Sequence, residues 1–149
     1  DIFLLQNTKQ KYKDKIFFIR DKNAMVYTYP ASSLKSFFRQ RTRWTSKSFG
    51  YKDNDLLTVS LIILVLNVTL LILMICSFTN LEVFYIFLFL LGFKSLIDFG
   101  FLFPLSKFYN YRKFIFWLFP MQLLYFIYVP LFAFTGFISQ LYRFVLRVF

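Results

Sequence analysis

LLTVSLIILVLNVTLLILMICSF, Leu56–Phe78, runs through 23 residues without one charged side chain. A helix rises about 1.5 Å per residue, so this stretch alone covers the roughly 30 Å hydrocarbon core of a bilayer. It is apolar all round, with no polar face to present to water, and therefore reads as a membrane crossing. Two further runs read the same way, one over about Leu81–Leu105 and one over about Phe114–Ile138. The composition agrees: 58% of the 149 residues are hydrophobic, 24% aromatic and only 17% charged. Soluble domains average about 45–50% apolar residues.

The charge is distributed asymmetrically. The formal net charge is +11, and most of the cations lie ahead of residue 55. A second cluster, Lys107, Arg112 and Lys113, falls in SKFYNYRKF (Ser106–Phe114), whereas the link SFTN (Ser77–Asn80) carries no cation. Cytoplasmic loops are enriched in Lys and Arg, which assigns residues 1–54 and the Ser106–Phe114 loop to the cytoplasmic side of a multi-pass protein of the cell (inner) membrane. Three full crossings would put Arg143 and Arg147 outside. Pro120 and Pro130 offer an alternative, a kinked or re-entrant third segment. We take three crossings, followed by SQLYRFVLRVF (Ser139–Phe149) as an interfacial tail. The basic segment merges into apolar spans, which argues against nucleic acid as a partner. Cys76, alone in an apolar run, reads as a buried inert thiol. The chain has no histidine, leaving carboxylates for acid–base or metal chemistry.

Ahead of the first span, Ile2–Lys11 has the spacing of a short amphipathic helix. KIFFIR (Lys15–Arg20) and AMVYTY (Ala24–Tyr29) are β-prone runs around the turn-like DKN (Asp21–Asn23). Pro30 closes the second run, and Ser32 or Ser33 caps the helix that follows. The order helix, strand, strand, basic helix is that of the end of an α/β domain. About 54 residues are too few for an independent globular core, and the chain opens on Asp1 rather than methionine, so it reads as a C-terminal fragment. The expected organisation is thus a domain remnant over 1–31, an amphipathic interface helix over 32–54, transmembrane helices within 55–138 (56–78, 81–105, 114–138) and a tail over 139–149.

The interface helix contains SLKSFFRQRTRWTSKSF (Ser33–Phe49), five cations among four large aromatics. At about 100° per residue, Phe37, Phe38 and Phe49 fall within about 60° of Leu34, an apolar stripe interrupted by Arg41. Lys35 and Arg39 lie on one flank. Arg43, Lys47, Gln40 and Trp44 share an arc of about 180° to 280°. Guanidinium and amide groups suit diphosphate oxygens, and an indole suits a sugar face. A basic helix that only lies on a membrane surface fits the same spacing, and both readings stand on the residues alone.

Gln40-Arg41-Thr42-Arg43-Trp44 matches the Q-x-x-R-W motif, and in this setting the chain resembles the membrane-bound family-2 glycosyltransferases, the group of the cellulose, chitin and hyaluronan synthases. DIFLL (Asp1–Leu5) is similar to the end of that family's acidic D-D or E-D motif. AMVYTYPASSLKSFFRQRTRW (Ala24–Trp44) resembles the strand, proline and interface helix leading to Q-x-x-R-W, and membrane helices follow in both. The resemblance implies a GT-A-type catalytic domain on the cytoplasmic face, of which residues 1–31 would be the end. It implies transfer of a sugar, with inversion, from a nucleotide-sugar donor to a glycan or lipid-linked acceptor. By the same resemblance Asp1 would be the catalytic base, Gln40 and Arg43 would hold the donor diphosphate, and Trp44 would pack near the acceptor sugar. A divalent metal (Mg or Mn) is implied for the complete enzyme, but the D-x-D motif that would hold it is not in this sequence, so the fragment alone would not be active. The alternative is a non-enzymatic membrane module, a transporter subunit or scaffold with a basic juxtamembrane helix.

Inside the spans, Lys94 and Asp98 have the i, i+4 spacing of a compensating pair, with lining of an acceptor groove as the functional alternative. Asn67 reads as a helix–helix hydrogen bond and Glu82 as interfacial. Tyr109, Tyr111 and Trp117 suit an aromatic belt.

Overall fold

The computed structural model describes residues 2–12, 15–17, 19, 21–48, 50–51 and 53–148. It is mainly helical. The helices are α1 (Ile2–Lys11), α2 (Leu34–Ser48), α3 (Asn54–Cys76), α4 (Leu81–Phe108) and α5 (Leu118–Val148), with short 3-10 segments at Lys22–Ala24 and Arg112–Trp117. Three helical stretches are long and apolar enough to cross a membrane: Asn54–Cys76, Leu81–Phe108 and Arg112–Tyr142. The second and third contain the runs expected from sequence, and the first ends at Cys76, two residues short of the expected Phe78. The chain divides into two compact units, one of Leu61–Phe134 and one of Asp1–Ser60 with Thr135–Phe149.

The helix ends follow from local chemistry. Ser33 Oγ accepts from the Ser36 amide (3.2 Å), the expected cap of α2. Asp53 Oδ1 accepts from the amides of Asp55 (3.1 Å) and Leu56 (3.4 Å) at the start of α3. Asn80 Oδ1 takes the Glu82 amide at 2.8 Å and starts α4. The far end of α4 closes with Asn110 at φ 62°, its amide on the Lys107 carbonyl (3.4 Å) and that of Tyr111 on Ser106 (2.9 Å). Asparagine tolerates this left-handed conformation, and the two bonds satisfy carbonyls that a helix end leaves over.

In the unit of Leu61–Phe134, Leu70, Phe87 and Phe126 form the centre, with Leu66, Leu73 and Leu90 against them. The Phe87 and Phe126 rings meet edge to face at 6.0 Å. In lipid such contacts hold helices by close packing rather than by escape from water. Asn67 is buried here, but its Nδ2 donates to the backbone carbonyl of Ile63, one turn back, at 2.7 Å. The expected bond to another helix is replaced by a bond within α3. Pro104 lies inside α4. Pro120, the third residue of α5, sits in a first turn where no helical amide bond is due, and α5 also continues through Pro130. From Leu118 to Val148 the third span and the tail thus form one helix, without the break that the prolines suggested. Cys76 ends α3 and is exposed, not buried.

In the other unit, α2 meets the last part of α5 through small side chains. Thr42 Oγ1 and Thr135 Oγ1 are 3.4 Å apart, and a Cβ built on Gly136 would stand 2.7 Å from Thr45 Cβ. Ser46 is buried and returns its hydroxyl to the Arg43 carbonyl at 3.0 Å. Lys9 on α1 pairs with Asp53 at 2.6 Å, and Phe3 meets Tyr51 edge to face.

The described residues of KIFFIR and AMVYTY do not form the expected strands; Phe18 and Arg20 lie outside the described residues. Among the described residues there is no strand, and the segment holds only the 3-10 turn at Lys22–Ala24. A strand needs a neighbour for its amides and carbonyls, and neither run supplies one for the other. Their side chains stand exposed instead, Phe17 at 83%, Val26 at 87% and Tyr29 at 100%. The interface helix is also shorter than 32–54: α2 stops at Ser48, and Gly50 and Tyr51 turn the chain before α3.

Candidate anion-binding site

The α2 helix carries cations at Lys35, Arg39 and Arg43, one every four residues, so they stack along one face. Like charges at this spacing destabilise a helix by a few tenths of a kcal/mol per pair, about 0.2–0.5. The row therefore opposes the helix it sits on. All three line one cleft of about 430 Å³, together with Ser33, Ser36 and Gln40 of the same element and Tyr29-Pro30-Ala31 from the preceding segment. Pro30 and Ser33 matter locally: the proline keeps the residue before it out of helical geometry, and the serine starts the helix directly after.

Among the described residues no carboxylate lines this cleft. Among the described residues the ion pairs are Lys9–Asp53 and Lys94–Asp98, so no acidic partner neutralises the three cations. The cleft also includes the first turn of α2, where amides and the helix dipole favour negative charge. Cations, an amide and hydroxyls without any acid form a receptor for an anion rich in oxygen.

The structure brings Gln40 and Arg43 together, as the sequence suggested. It also joins what the wheel divided: Lys35 and Arg39 line the same cleft as Gln40 and Arg43 rather than lying on a separate flank. The signal was present in the four-residue spacing, and long side chains close the angular gap that a wheel of Cα directions shows. Trp44 is not among the lining residues and is 47% exposed. Its ring instead holds the Arg41 guanidinium at 4.8 Å, and the Phe37 ring lies 5.2 Å from the same group. This explains a cation within the apolar stripe: Arg41 spreads its charge over two aromatic faces. Asp1 lies outside the described residues.

Among the described residues no three Asp, Glu, His or Cys side chains lie together as metal ligands. The cationic cleft would itself repel a divalent cation. The D-x-D motif that would hold the metal implied by the resemblance is not in this sequence.

The second polar cluster lies in the unit of Leu61–Phe134. Lys94, its side chain 8% exposed, donates to Asp98 Oδ2 at 2.6 Å and to Gln122 Oε1 at 2.5 Å. Gln122 Nε2 donates to the same Asp98 oxygen at 2.6 Å, and the Lys94 ammonium stands 4.9 Å from the centre of the Tyr125 ring. The pair read from sequence is present. Gln122 and Tyr125, its other two members, were missed.

No protein-family model matches the chain, and comparison with curated proteins and with solved structures finds no match either.

Proposed function

We propose that this chain is the membrane-proximal part of an inverting glycosyltransferase, working at the cytoplasmic face of the cell membrane with residues 1–54 on that side. The observation that carries the reading is the acid-free cleft in which Gln40 and Arg43 of the QRTRW stretch meet Lys35 and Arg39. In this reading Arg43 gives two parallel N–H bonds to the donor diphosphate and Gln40 a third. Charge grows on that diphosphate as the bond from the sugar's anomeric carbon to phosphate oxygen breaks, and fixed cations stabilise the growing charge. An acceptor hydroxyl on a glycan or lipid attacks the opposite face of that carbon, and Asp1 takes its proton. Trp44, outside the cleft, contacts the acceptor rather than the nucleotide.

The test is calorimetric titration of the purified protein with a nucleoside diphosphate, for instance uridine diphosphate. Arg43→Lys keeps the charge but loses the planar fork, and a lost bond to a charged group corresponds to about a tenfold or greater loss of affinity. Arg39→Gln should weaken binding comparably, while Trp44→Ala leaves it within about twofold of the parent. If all three variants bind like the parent, or the parent binds no nucleoside diphosphate, the reading is wrong. The alternative, a non-enzymatic module whose basic helix rests on lipid, draws on the exposure of Leu34, Phe38 and Trp44 beside the cations. It predicts equal binding of anionic vesicles by Arg43→Lys and the parent, with no nucleotide dependence.

A further inference from the structure

The cluster of Lys94, Asp98 and Gln122 satisfies itself almost completely, and what it leaves over is specific. An ammonium has three donors. Those of Lys94 face Asp98 Oδ2, Gln122 Oε1 and the Tyr125 ring. Gln122 spends one Nε2–H on Asp98 Oδ2, which thereby accepts two bonds. Among the described residues this leaves one Gln122 N–H and Asp98 Oδ1. One donor beside one acceptor is the complement of a hydroxyl, which donates once and accepts. A second ammonium would meet Lys94 and find no acceptor beyond Asp98, and a carboxylate would meet Asp98.

Asp98 and Gln122 open on a cavity of about 380 Å³ whose other walls are Phe101, Leu102, Leu118 and Met121 with Tyr125. A water molecule occupies about 30 Å³ of liquid, so one water on the polar end leaves most of the space to apolar matter. A second cavity of about 330 Å³ shares Leu102, Leu118 and Met121 with the first and reaches Tyr109, Tyr111 and Trp117. The two adjoin across these shared walls and together form a groove along α4. From Asp98 to Tyr109 it covers eleven residues, or about 16 Å of helix. Its polar end joins a buried Gln122 to an Asp98 whose side chain is 36% exposed, its walls are apolar and its outer end is aromatic.

We propose that this groove binds a membrane-soluble alcohol: an apolar body lies along Leu102, Leu118 and Met121, and its hydroxyl donates to Asp98 Oδ1 while accepting from Gln122 Nε2. The hydroxyl completes a network that is otherwise left with one unused group of each kind in an apolar setting. The site is independent of the anion-binding cleft and of the function proposed for it.

Photolabelling tests this with the full chain in lipid nanodiscs, using a long-chain primary alcohol that carries a diazirine in its chain. Labelled peptides are mapped by mass spectrometry, and unlabelled dodecanol, its methyl ether and dodecane serve as competitors. Label should fall on the segments holding Leu102 and Met121. Dodecanol should compete at about one-tenth the concentration of the ether, because the ether has no proton for Asp98. Gln122→Leu keeps the Lys94–Asp98 pair and should reduce this preference severalfold. Met121→Trp fills the groove and should abolish the label. Equal competition by alcohol, ether and alkane in the parent protein would overturn the proposal, because the groove would then hold lipid tails without selecting a hydroxyl. Label spread evenly over α3, α4 and α5 would overturn it as well.

Discussion

Removing Asp98 alone should cost the fold more than removing the whole cluster. Asp98→Asn leaves a Lys94 whose side chain is 8% exposed without its counter-ion. Breaking a buried pair by losing one partner costs about 3–5 kcal/mol. Gln122 Oε1 and the Tyr125 ring still hold the ammonium, which favours the lower end, about 3 kcal/mol. In Lys94→Met/Asp98→Leu no charge remains, but Gln122 loses both partners, and a stranded buried amide costs about 1–3 kcal/mol. Adding Gln122→Leu removes that group too, so the triple variant should fall within about 1 kcal/mol of the parent, as when apolar residues replace a buried ionic cluster. The order single, double, triple is therefore one of decreasing damage. Unfolding in mixed micelles at increasing detergent denaturant, followed by far-ultraviolet circular dichroism, measures it. Losses that grow with each substitution would refute the reasoning, since they would mean each residue acts alone.

Three further outcomes are expected. Gly136→Ala gains about 1 kcal/mol of helix propensity, yet its Cβ would stand 2.7 Å from Thr45 Cβ and 3.0 Å from the Thr45 backbone. Overpacking costs about 1–3 kcal/mol, so the variant should be destabilised in the same unfolding assay, and Thr45→Gly should recover part of the loss; a stabilised Gly136→Ala would contradict the close approach of α2 to α5. The Lys9 side-chain hydrogen bond holds the Asp53 carboxyl below the usual aspartate range, and the same contact raises Lys9. A lowered carboxylate contributes above its unfolded value and loses that contribution as pH falls, so Asp53→Asn should narrow the stability difference between pH 7 and pH 3, and added salt should shrink the effect of the mutation. Lys113→Cys in a Cys76→Ser background should resist an impermeant thiol reagent added outside intact cells; labelling there would reverse the topology. Asn110 is the wrong place for that probe, because its φ of 62° would strain a cysteine.

The membrane spans were legible because nothing but lipid tolerates 23 consecutive uncharged, mostly apolar residues such as Leu56–Phe78. Ser33 was legible as a cap because the signal is local, and Lys94 with Asp98 because four residues make one helical turn. Gln122 was not. It lies 28 residues from Lys94, and only the approach of two helices shows that its amide completes the cluster. The β-prone runs misled because strand propensity describes a fit to neighbouring strands, and Val26 or Tyr29 carries the propensity whether or not a neighbour is present. The cationic cleft lay between these cases. Its residues were named, but the wheel separated Lys35 and Arg39 from Arg43, while long flexible side chains bring them to one cleft.

Pro104 divides α4 into two parts. It has no amide hydrogen for the Gly100 carbonyl, and its ring crowds that carbonyl, so the helix is weakest there. Lys94 and Asp98 stand before the weak point, and Leu105, Ser106 and Tyr109 at the outer part of the groove stand after it. Five residues separate Pro104 from Tyr109, about 7.5 Å of helix, so a bend of about 20° swings Tyr109 by about 2–3 Å. If the groove holds an alcohol as proposed, its hold would rest on Asp98 and the pace of entry and exit on the bend at Pro104, so the two could change independently.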